Sequence, residues 1–504
     1  MRSAHRRLIR ALGRPSAATL CALLIGMFHL ATIREGHDWG DDFSMYIRHA
    51  QNIVRGEPYA ETGYIYNPQN PDIGPRLYPP GFPVLLAPLV AISGLDLRPM
   101  KVLVLAFFVG SLLVMIALFR NVLSSSEMAV LVLIVGLNPV LWELKGHILS
   151  DIPFLFFVLL SLGLFTKADA SDASASRRMT LAVLSGVAAY AAYATRSLAV
   201  MLIPCFVAHD VSRYRKLGTN AALAAAVVVV LAGIQHLVWF HDVSYFDQIS
   251  SPVTVVRQNV PAYLRALSDL WENGYSGDVR RMAFLASVAL AAFGYVSSLR
   301  AGLSVFHLFP PLYLTPVMMW PSYQGLRLLI PVVPFYFCCS LLGARRIDAG
   351  VERRWKARNA VLVAFLAVVL VSYAARYSTL QFGPLREGIA KEESRELFNF
   401  ITAATDPDDV LVFSRPRALA LMTGRKVSGG YSPADPCRLW QYMKEIGASY
   451  VITGPARDPF NEDAAYLQRF VADFENDLRP VMVNGDLAVY RIQRNPCQPA
   501  SVPQ

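Results

Sequence analysis

The apolar residues of this chain stand in long blocks rather than in stripes along amphipathic helices, and this arrangement limits the possible fold most strongly. Of the 504 residues, 54% are hydrophobic and 17% are charged, whereas a soluble protein carries about 25% charged residues. About eleven blocks of roughly 12–21 residues reach or approach the length that crosses a hydrocarbon core. Their centres lie near Leu24, Gly110, Val135, Leu159, Ser185, Ile203, Val229, Ala291, Thr315, Val333 and Phe365. We therefore predict an α-helical polytopic membrane protein with about eleven transmembrane helices.

Basic clusters predict the orientation of these helices, and they argue against a nucleic-acid partner despite the net charge of +10. Cytoplasmic loops of membrane proteins carry an excess of Lys and Arg. With a cytoplasmic N-terminus, every basic cluster falls on the cytoplasmic side: residues 6–14, 177–178, 213–216 and 345–358. The apolar block at residues 17–30 lacks a small-residue cleavage site, so we expect an uncleaved first span. The expected location is the inner membrane of the cell.

Two domains are predicted from the change in composition along the chain. The membrane part covers residues 1–380 and includes a long first external loop at residues 34–98. Residues 381–504 read as a small soluble α/β domain, periplasmic or extracellular. Its predicted elements are a helix at 392–404, strands at 410–413 and 450–452, and a hairpin at 481–490 around an Asn-Gly pair. Cys437 and Cys497 lie in this part, and their spacing leaves a disulfide between them open.

An acidic pair follows the first apolar block. Residues 39–46 read Trp-Gly-Asp-Asp-Phe-Ser-Met-Tyr, and the spacing of apolar residues predicts a helix over residues 42–55. Carboxylates next to a membrane are costly and tend to be functional, which singles out Asp41 and Asp42. The alternative is that both residues cap this helix, since Asp is favoured at a helix N-terminus.

Three further ionisable residues are predicted on the same external side. Asp151 opens the fourth span within Leu-Ser-Asp-Ile-Pro, Arg196 stands between two short apolar segments, and Arg327 lies at the mouth of the tenth span. Asp151 has a capping alternative, and the two arginines have the alternative of reaching back to the membrane interface. A carboxylate can act as a general base, and guanidinium groups can hold a phosphate. Together they predict chemistry on a lipid-linked phosphate.

Several short motifs resemble, in the expected order, landmarks of the GT-C glycosyltransferases, in particular the protein O-mannosyltransferases and the aminoarabinose lipid A transferases. They lie at residues 40–46, 52–59, 78–81, 149–153 and 195–196. The resemblance covers roughly residues 17–342 and rests on the motifs jointly. It implies the GT-C fold, a bundle of membrane helices with long external loops and often a soluble C-terminal domain.

The resemblance also implies roles for the acidic residues. The first acid of the pair is the catalytic base in this family, which assigns that role to Asp41, with Asp42 where many relatives carry Glu. Asp151 corresponds to the acid of the second external point, and we expect it to assist at the acceptor or metal position. The family includes enzymes with and without a required divalent cation, so a metal cofactor is left open.

One departure from the family concerns the donor phosphate. The lipid A transferases carry a phosphate-binding lysine in the first loop, near the position of Pro79, and this chain has no lysine there. The phosphate contacts are therefore expected from arginines. The candidates are Arg76, Arg98, Arg196 and Arg327, of which the last two are favoured. Tyr78 is placed with these substrate-binding residues, and an interfacial anchor is the alternative for it.

The sequence as a whole predicts a membrane-embedded, inverting hexosyl- or pentosyltransferase. Its donor would be a polyprenyl-phosphate sugar. Its acceptor would be a hydroxyl of an envelope lipid, polysaccharide or protein. The protein would also contact membrane lipid. A transporter or lipid flippase is the rival class. Such proteins usually show two related halves with broken helices near the bilayer midplane, and no internal repeat is visible here. A structural envelope protein is a third option.

Overall fold

The computed structural model divides the chain into two compact units. One consists of Met1–Ile33 with Lys101–Phe382, and the other of Arg34–Met100 with Gly383–Gln504. The predicted first external loop thus groups with the C-terminal residues, and the predicted boundary near residue 380 stays a prediction. The structure describes residues 16–170, 174–239, 252–300, 302–355, 360–385, 388–454 and 462–497.

Helices dominate the described chain. In order they are α1 (Ala17–Ala31), α2 (Asp41–Arg55), α3 (Gly81–Ser93), α4 (Leu97–Phe119), α5 (Ser125–Gly136), α6 (Pro139–Leu144), α7 (Asp151–Asp169), α8 (Ala175–Thr195), α9 (Leu202–Tyr214), α10 (Thr219–Trp239), α11 (Pro252–Ser268), α12 (Gly277–Leu299), α13 (Val305–Met318), α14 (Val333–Trp355), α15 (Ala360–Thr379), α16 (Glu392–Ala404), α17 (Pro416–Thr423), α18 (Pro436–Glu445) and α19 (Glu462–Asp473). Two 3₁₀ segments, Ser197–Met201 and Gly325–Val332, precede α9 and α14.

The membrane character of the chain is confirmed. Within the described residues, 6 helical segments are long and apolar enough to cross a membrane: Leu97–Phe119, Asp151–Asp169, Thr219–Trp239, Gly277–Leu299, Gly325–Gly350 and Ala360–Thr379. Shorter apolar helices are Ala17–Ala31, Gly81–Ser93, Ser125–Gly136 and Val305–Met318. Each predicted block centre lies inside a helix. The count of about eleven spans stays a prediction, because several of these helices are shorter than a full crossing.

Close backbone packing joins α12 to α14 in the first unit. A Cβ atom on Gly294 would lie 1.9 Å from the Cys339 carbonyl oxygen, and one on Gly343 would lie 2.1 Å from the Leu290 carbonyl oxygen. Only glycine permits this approach, and small residues at helix contacts are typical of membrane bundles. The two glycines therefore fix the distance between these helices.

A sheet forms the centre of the second unit. Its strands are β1 (Tyr64–Ile65), β2 (Val410–Val412), β3 (Lys426–Ser428), β4 (Ala448–Thr453), β5 (Leu478–Asn484) and β6 (Leu487–Ile492), in the order β1-β3-β2-β4-β6-β5. The pairs β1–β3, β2–β3 and β2–β4 are parallel, and β4–β6 and β5–β6 are antiparallel. The edge strand β1 comes from the first loop. Its pairing with β3 ties that loop to the C-terminal part of the chain.

The local elements predicted for the C-terminal part are present. Helix α16 has the predicted bounds, and β2, β4 and the β5–β6 hairpin match the predicted strands. In the hairpin, Asn484 pairs with Leu487, and Gly485 has φ +56°, a conformation that favours glycine. Cys437 and Cys497, left open by the sequence, form a disulfide at the edge of the buried cluster around Trp440.

Candidate active site

Asp41 and Asp42 form the first turn of α2, where the helix dipole favours negative charge. The helix ends at Gly56, whose φ of 68° is left-handed. The N-cap of α2 is Gly40, which has no side chain to accept a capping hydrogen bond, and its own N–H donates to Asp38 Oδ1 over 3.1 Å. Instead, the Ala418 backbone N–H donates to Asp41 Oδ1 over 3.3 Å, and the Tyr78 hydroxyl donates to Asp42 Oδ1 over 2.5 Å. Both carboxylates therefore accept hydrogen bonds from residues outside α2.

A buried arginine, Arg417, organises this acidic turn. The residue is 2% exposed, and it lies in the first turn of α17, the helix that packs against α2. Its Nη1 atom donates to the Tyr78 hydroxyl oxygen over 2.6 Å and lies 3.4 Å from Asp42 Oδ1. Its Nη2 atom donates to the Pro75 carbonyl over 2.8 Å. The guanidinium also lies over the Tyr64 and Tyr78 rings, 4.8 and 5.0 Å from their centroids.

The position of Tyr78 is fixed from three directions. His49 Nε2 accepts from the Tyr78 N–H over 3.4 Å, while its Nδ1 lies 2.8 Å from the Tyr59 carbonyl oxygen. The Tyr59 hydroxyl donates to the Tyr78 carbonyl over 2.8 Å. Burial lowers the pKa of His49 to about 3, so the imidazole is neutral and donates through Nδ1. Tyr78 is thus held as a fixed donor to Asp42.

The ionisation of Asp41 differs from that of an ordinary aspartate. Burial raises the pKa of this carboxyl to about 6, against the opposing effects of Arg417, Arg415 and the Ala418 N–H. Its Oδ1 atom has the Ala418 contact, and its Oδ2 atom makes no hydrogen bond to the residues that the structure describes. A carboxylate with a pKa near neutrality and a free oxygen has the properties of a general base.

Sequence reasoning missed Arg417 altogether. The residue stands in Ser-Arg-Pro-Arg-Ala-Leu-Ala-Leu, where an arginine among apolar helical residues is a weak sign of a buried charge. No pattern in the neighbouring sequence indicated its partner, because Asp42 and Arg417 are 375 positions apart in the chain. The first loop is further tied to the C-terminal part by Asn67 and Asn70, which donate to the carbonyls of Gly429 and Gly430.

The first unit holds a second cluster, built from Asp151, Arg196 and Arg327. Asp151 is 1% exposed and begins α7; Arg196 directly follows α8; and Arg327 lies in the 3₁₀ segment before α14. Arg196 Nη2 lies 3.0 Å from Asp151 Oδ1, and Arg327 Nη2 lies 3.2 Å from Asp151 Oδ2. Arg196 Nε also donates to the Ser150 hydroxyl over 3.3 Å. The structure therefore joins the three residues that the sequence placed at separate helix ends.

The remaining predicted site residues stand apart from these clusters. Arg76 and Arg98 are exposed, and neither side chain makes a hydrogen bond or ion pair within the described ranges. Asp41, Asp42 and Tyr78 belong to one compact unit, and the cluster of Asp151 belongs to the other. That all of them act in one active site stays a prediction.

The two clusters differ as candidate metal sites. Both oxygens of Asp151 face guanidinium groups, which leaves this carboxylate a poor ligand for a cation. The Oδ2 atom of Asp41 is a suitable oxygen ligand.

Another His/Asp group lies at the far end of α7. One ligand atom each of Asp169, His209 and Asp210 lies within 4.8 Å of the others. Arg213 and Tyr214 already contact Asp169, and the Gly218 N–H donates to Asp210. We assign no metal to this group.

The fold is similar to that of solved membrane glycosyltransferases. ArnT from Cupriavidus metallidurans, solved with undecaprenyl phosphate, has a TM-score of 0.55 and 14% identity over 94% of this chain and 97% of that chain. The oligosaccharyltransferase AglB from Archaeoglobus fulgidus, solved with an inhibitory peptide and dolichol-phosphate, has a TM-score of 0.58 and 12% identity over 96% and 75%. The apo form of the Archaeoglobus fulgidus enzyme has a TM-score of 0.56 and 12% identity over 86% and 69%.

No protein-family model and no curated protein sequence matches the chain. At identities of 12–14% the structural likeness concerns the fold alone. It confirms, at the level of the fold, the resemblance to GT-C glycosyltransferases that the sequence motifs indicated.

Proposed function

We propose that this protein is a membrane glycosyltransferase that moves a sugar from a polyprenyl-phosphate donor to a hydroxyl of an envelope lipid, polysaccharide or protein. The observation that carries this proposal is Asp41, a carboxyl group with a free oxygen and a pKa of about 6 at the first turn of α2. The fold adds support, because similar structures hold undecaprenyl phosphate and dolichol-phosphate.

Asp41 is the general base of the proposed reaction. Its carboxylate takes the proton from the acceptor hydroxyl, whose oxygen then forms a bond to the anomeric carbon. The bond between that carbon and the phosphate oxygen breaks, and polyprenyl phosphate leaves with the electron pair. A single displacement of this kind inverts the anomeric centre. The proton ends on Asp41 and passes to water before the next turnover.

Arg196 and Arg327 are assigned to the donor phosphate. Asp151 neutralises one of the two guanidinium charges, so the cluster keeps a net positive charge for an anion. Arg196 is 15% and Arg327 24% exposed at the side chain, whereas Asp151 is 1% exposed. This difference supports a positioning role for Asp151, which orients the two arginines, in place of the acceptor or metal role expected from the sequence.

Arg417 and Tyr78 are assigned to positioning the base and tuning its pKa. Their contacts hold Asp42, the neighbour of Asp41, and the positive charge of Arg417 lowers the pKa of Asp41 against the effect of burial. Without this charge the pKa of Asp41 would be higher, and its carboxyl would stay protonated to a higher pH. Arg417 thus keeps the base ionised at working pH.

A transfer assay with full-length protein in liposomes tests the proposal. The liposomes contain a mixed pool of polyprenyl-phosphate sugars and an envelope lipid extract, and both free polyprenyl phosphate and glycosylated product are measured by mass spectrometry. Stoichiometric release of carrier and formation of product support transfer. Movement of the intact donor across the bilayer without cleavage would support the transporter class instead.

A further inference from the structure

A cavity of about 360 Å³ lies in the first unit and is lined by residues of α4, α12, α13 and α14 and of the segments beside them. On α14 the lining runs from Phe335 in the first turn to Arg345 and Arg346, about three turns further along that helix. Asp151, Arg196 and Arg327 are not among its lining residues, so the cavity is distinct from the arginine cluster assigned to the donor phosphate.

Part of the cavity lining is aromatic and apolar. Phe119 lies 5.5 Å from Phe306 and 5.4 Å from Phe335, measured between ring centroids, and Leu342 adds to the same lining. Phe119 and Phe335 are buried, and Phe306 is half-buried. This part of the lining suits a hydrocarbon chain.

Two arginines of α14 add positive charge to the lining. The Arg345 side chain is 47% exposed; its Nη1 atom lies 3.3 Å from Glu127 Oε2 and donates to the Val122 carbonyl over 3.2 Å. Arg346 is exposed and makes no ion pair with any residue that the structure describes. Because Glu127 offsets one of the two arginines, this end of the cavity keeps about one net positive charge.

We propose that this cavity binds one anionic phospholipid. Its phosphodiester, with a single negative charge, lies against Arg346 and Arg345, and an acyl chain lies against Phe119, Phe306 and Phe335. The positive-inside rule predicts that this end of the helices faces the cytoplasm, where basic pockets between membrane helices take anionic headgroups. The acyl chain then packs against aromatic residues of α4, α13 and α14.

Native mass spectrometry of the full-length protein in detergent tests this site. Phosphatidylglycerol, phosphatidylcholine, undecaprenyl phosphate and inorganic phosphate are added in separate arms. The variants are Arg346→Gln, which removes the free charge, and Cys339→Trp, which fills the cavity. Arg178→Gln is the matched control, because this exposed arginine belongs to another basic cluster and does not line the cavity.

The proposal predicts that phosphatidylglycerol stays bound to wild type and to Arg178→Gln, and that its affinity falls about fivefold in Arg346→Gln, as loss of one cation at a lipid headgroup implies. Cys339→Trp, if it elutes as a single folded species, should lose the lipid. Equal retention by wild type and Arg346→Gln would overturn the site. So would equal binding of phosphatidylcholine, preferential binding of undecaprenyl phosphate, or full competition by inorganic phosphate.

Discussion

Arg417 Nη1 lies 2.6 Å from the hydroxyl oxygen of Tyr78, and the same hydroxyl donates to Asp42. A residue of the C-terminal segment thus fixes an acidic turn that comes 375 positions earlier in the chain. Burial raises the pKa of the Tyr78 hydroxyl well above its ordinary value, so the group stays protonated and remains a donor. The C-terminal residues are therefore part of the machinery around the proposed base.

The pH dependence of transfer should follow the ionisation of Asp41. Because the pKa of this carboxyl is raised to about 6, the base is protonated and inactive at lower pH and ionised at higher pH. We expect the rate at saturating acceptor to rise between pH 5 and 7 and then to level, with an apparent pKa of about 6. The measurement is a pH–rate profile with the liposome assay. A limb near pH 4, typical of an exposed aspartate, would contradict this assignment.

Removal of the Arg417 charge should shift this profile. Arg417 lowers the pKa of Asp41, so Arg417→Gln is expected to move the limb to higher pH. The same substitution breaks a buried charge pair, and we expect a loss of stability of about 3 kcal/mol, seen as a lower melting temperature in detergent. Arg479→Gln, at an exposed arginine of β5, is the matched control and should leave both quantities unchanged. If the acidic limb of the pH–rate profile does not move in folded Arg417→Gln, then Arg417 does not influence the ionisation of the base.

The arginines of the second cluster should control donor binding. Arg196→Lys and Arg327→Lys each retain the charge but lose the planar contact with Asp151, so the KM for the donor should rise by about tenfold while the KM for the acceptor stays constant. Asp151→Asn should raise the donor KM as well, because the arginines lose their common partner. Arg281→Lys at an exposed position of α12 serves as the control. A change confined to the acceptor KM would place these residues at the acceptor.

The contact between α12 and α14 should not tolerate a side chain at Gly294. A Cβ atom there would overlap the Cys339 carbonyl, so Gly294→Val forces the helices apart and should cost about 1–3 kcal/mol. Gly233→Ala is the matched control, since a Cβ atom at that helical glycine meets nothing within 4 Å. Thermal unfolding in detergent checks both variants. An unchanged melting temperature for Gly294→Val would show that the helices are not so close.

Local patterns in the sequence predicted those parts of the fold that depend on neighbouring residues. The bounds of α2 and α16 followed from apolar spacing, and the β5–β6 hairpin followed from its turn residues. The predicted topology placed Asp151, Arg196 and Arg327 on one external side, but the ion pairs of Asp151 with the two arginines were not predicted.

Contacts distant in sequence were not predicted. The pairing of Tyr64 with Val427 and the contact of Asp42 with Arg417 depend on how the chain folds back over several hundred residues, and no local pattern records this. Tyr78 illustrates the difference. Its sequence context allowed an interfacial anchor, whereas its hydroxyl is engaged by Asp42 and Arg417.

The most direct test of the account compares wild type, Asp41→Asn and Asp72→Asn for release of free polyprenyl phosphate in the liposome assay. Asp72 is an exposed aspartate of the same loop and is the matched control. Loss of the base should lower the rate of release by about 10²–10⁴-fold in Asp41→Asn, with wild-type rates in Asp72→Asn. Equal release by wild type and Asp41→Asn would contradict the assignment of Asp41 as the base.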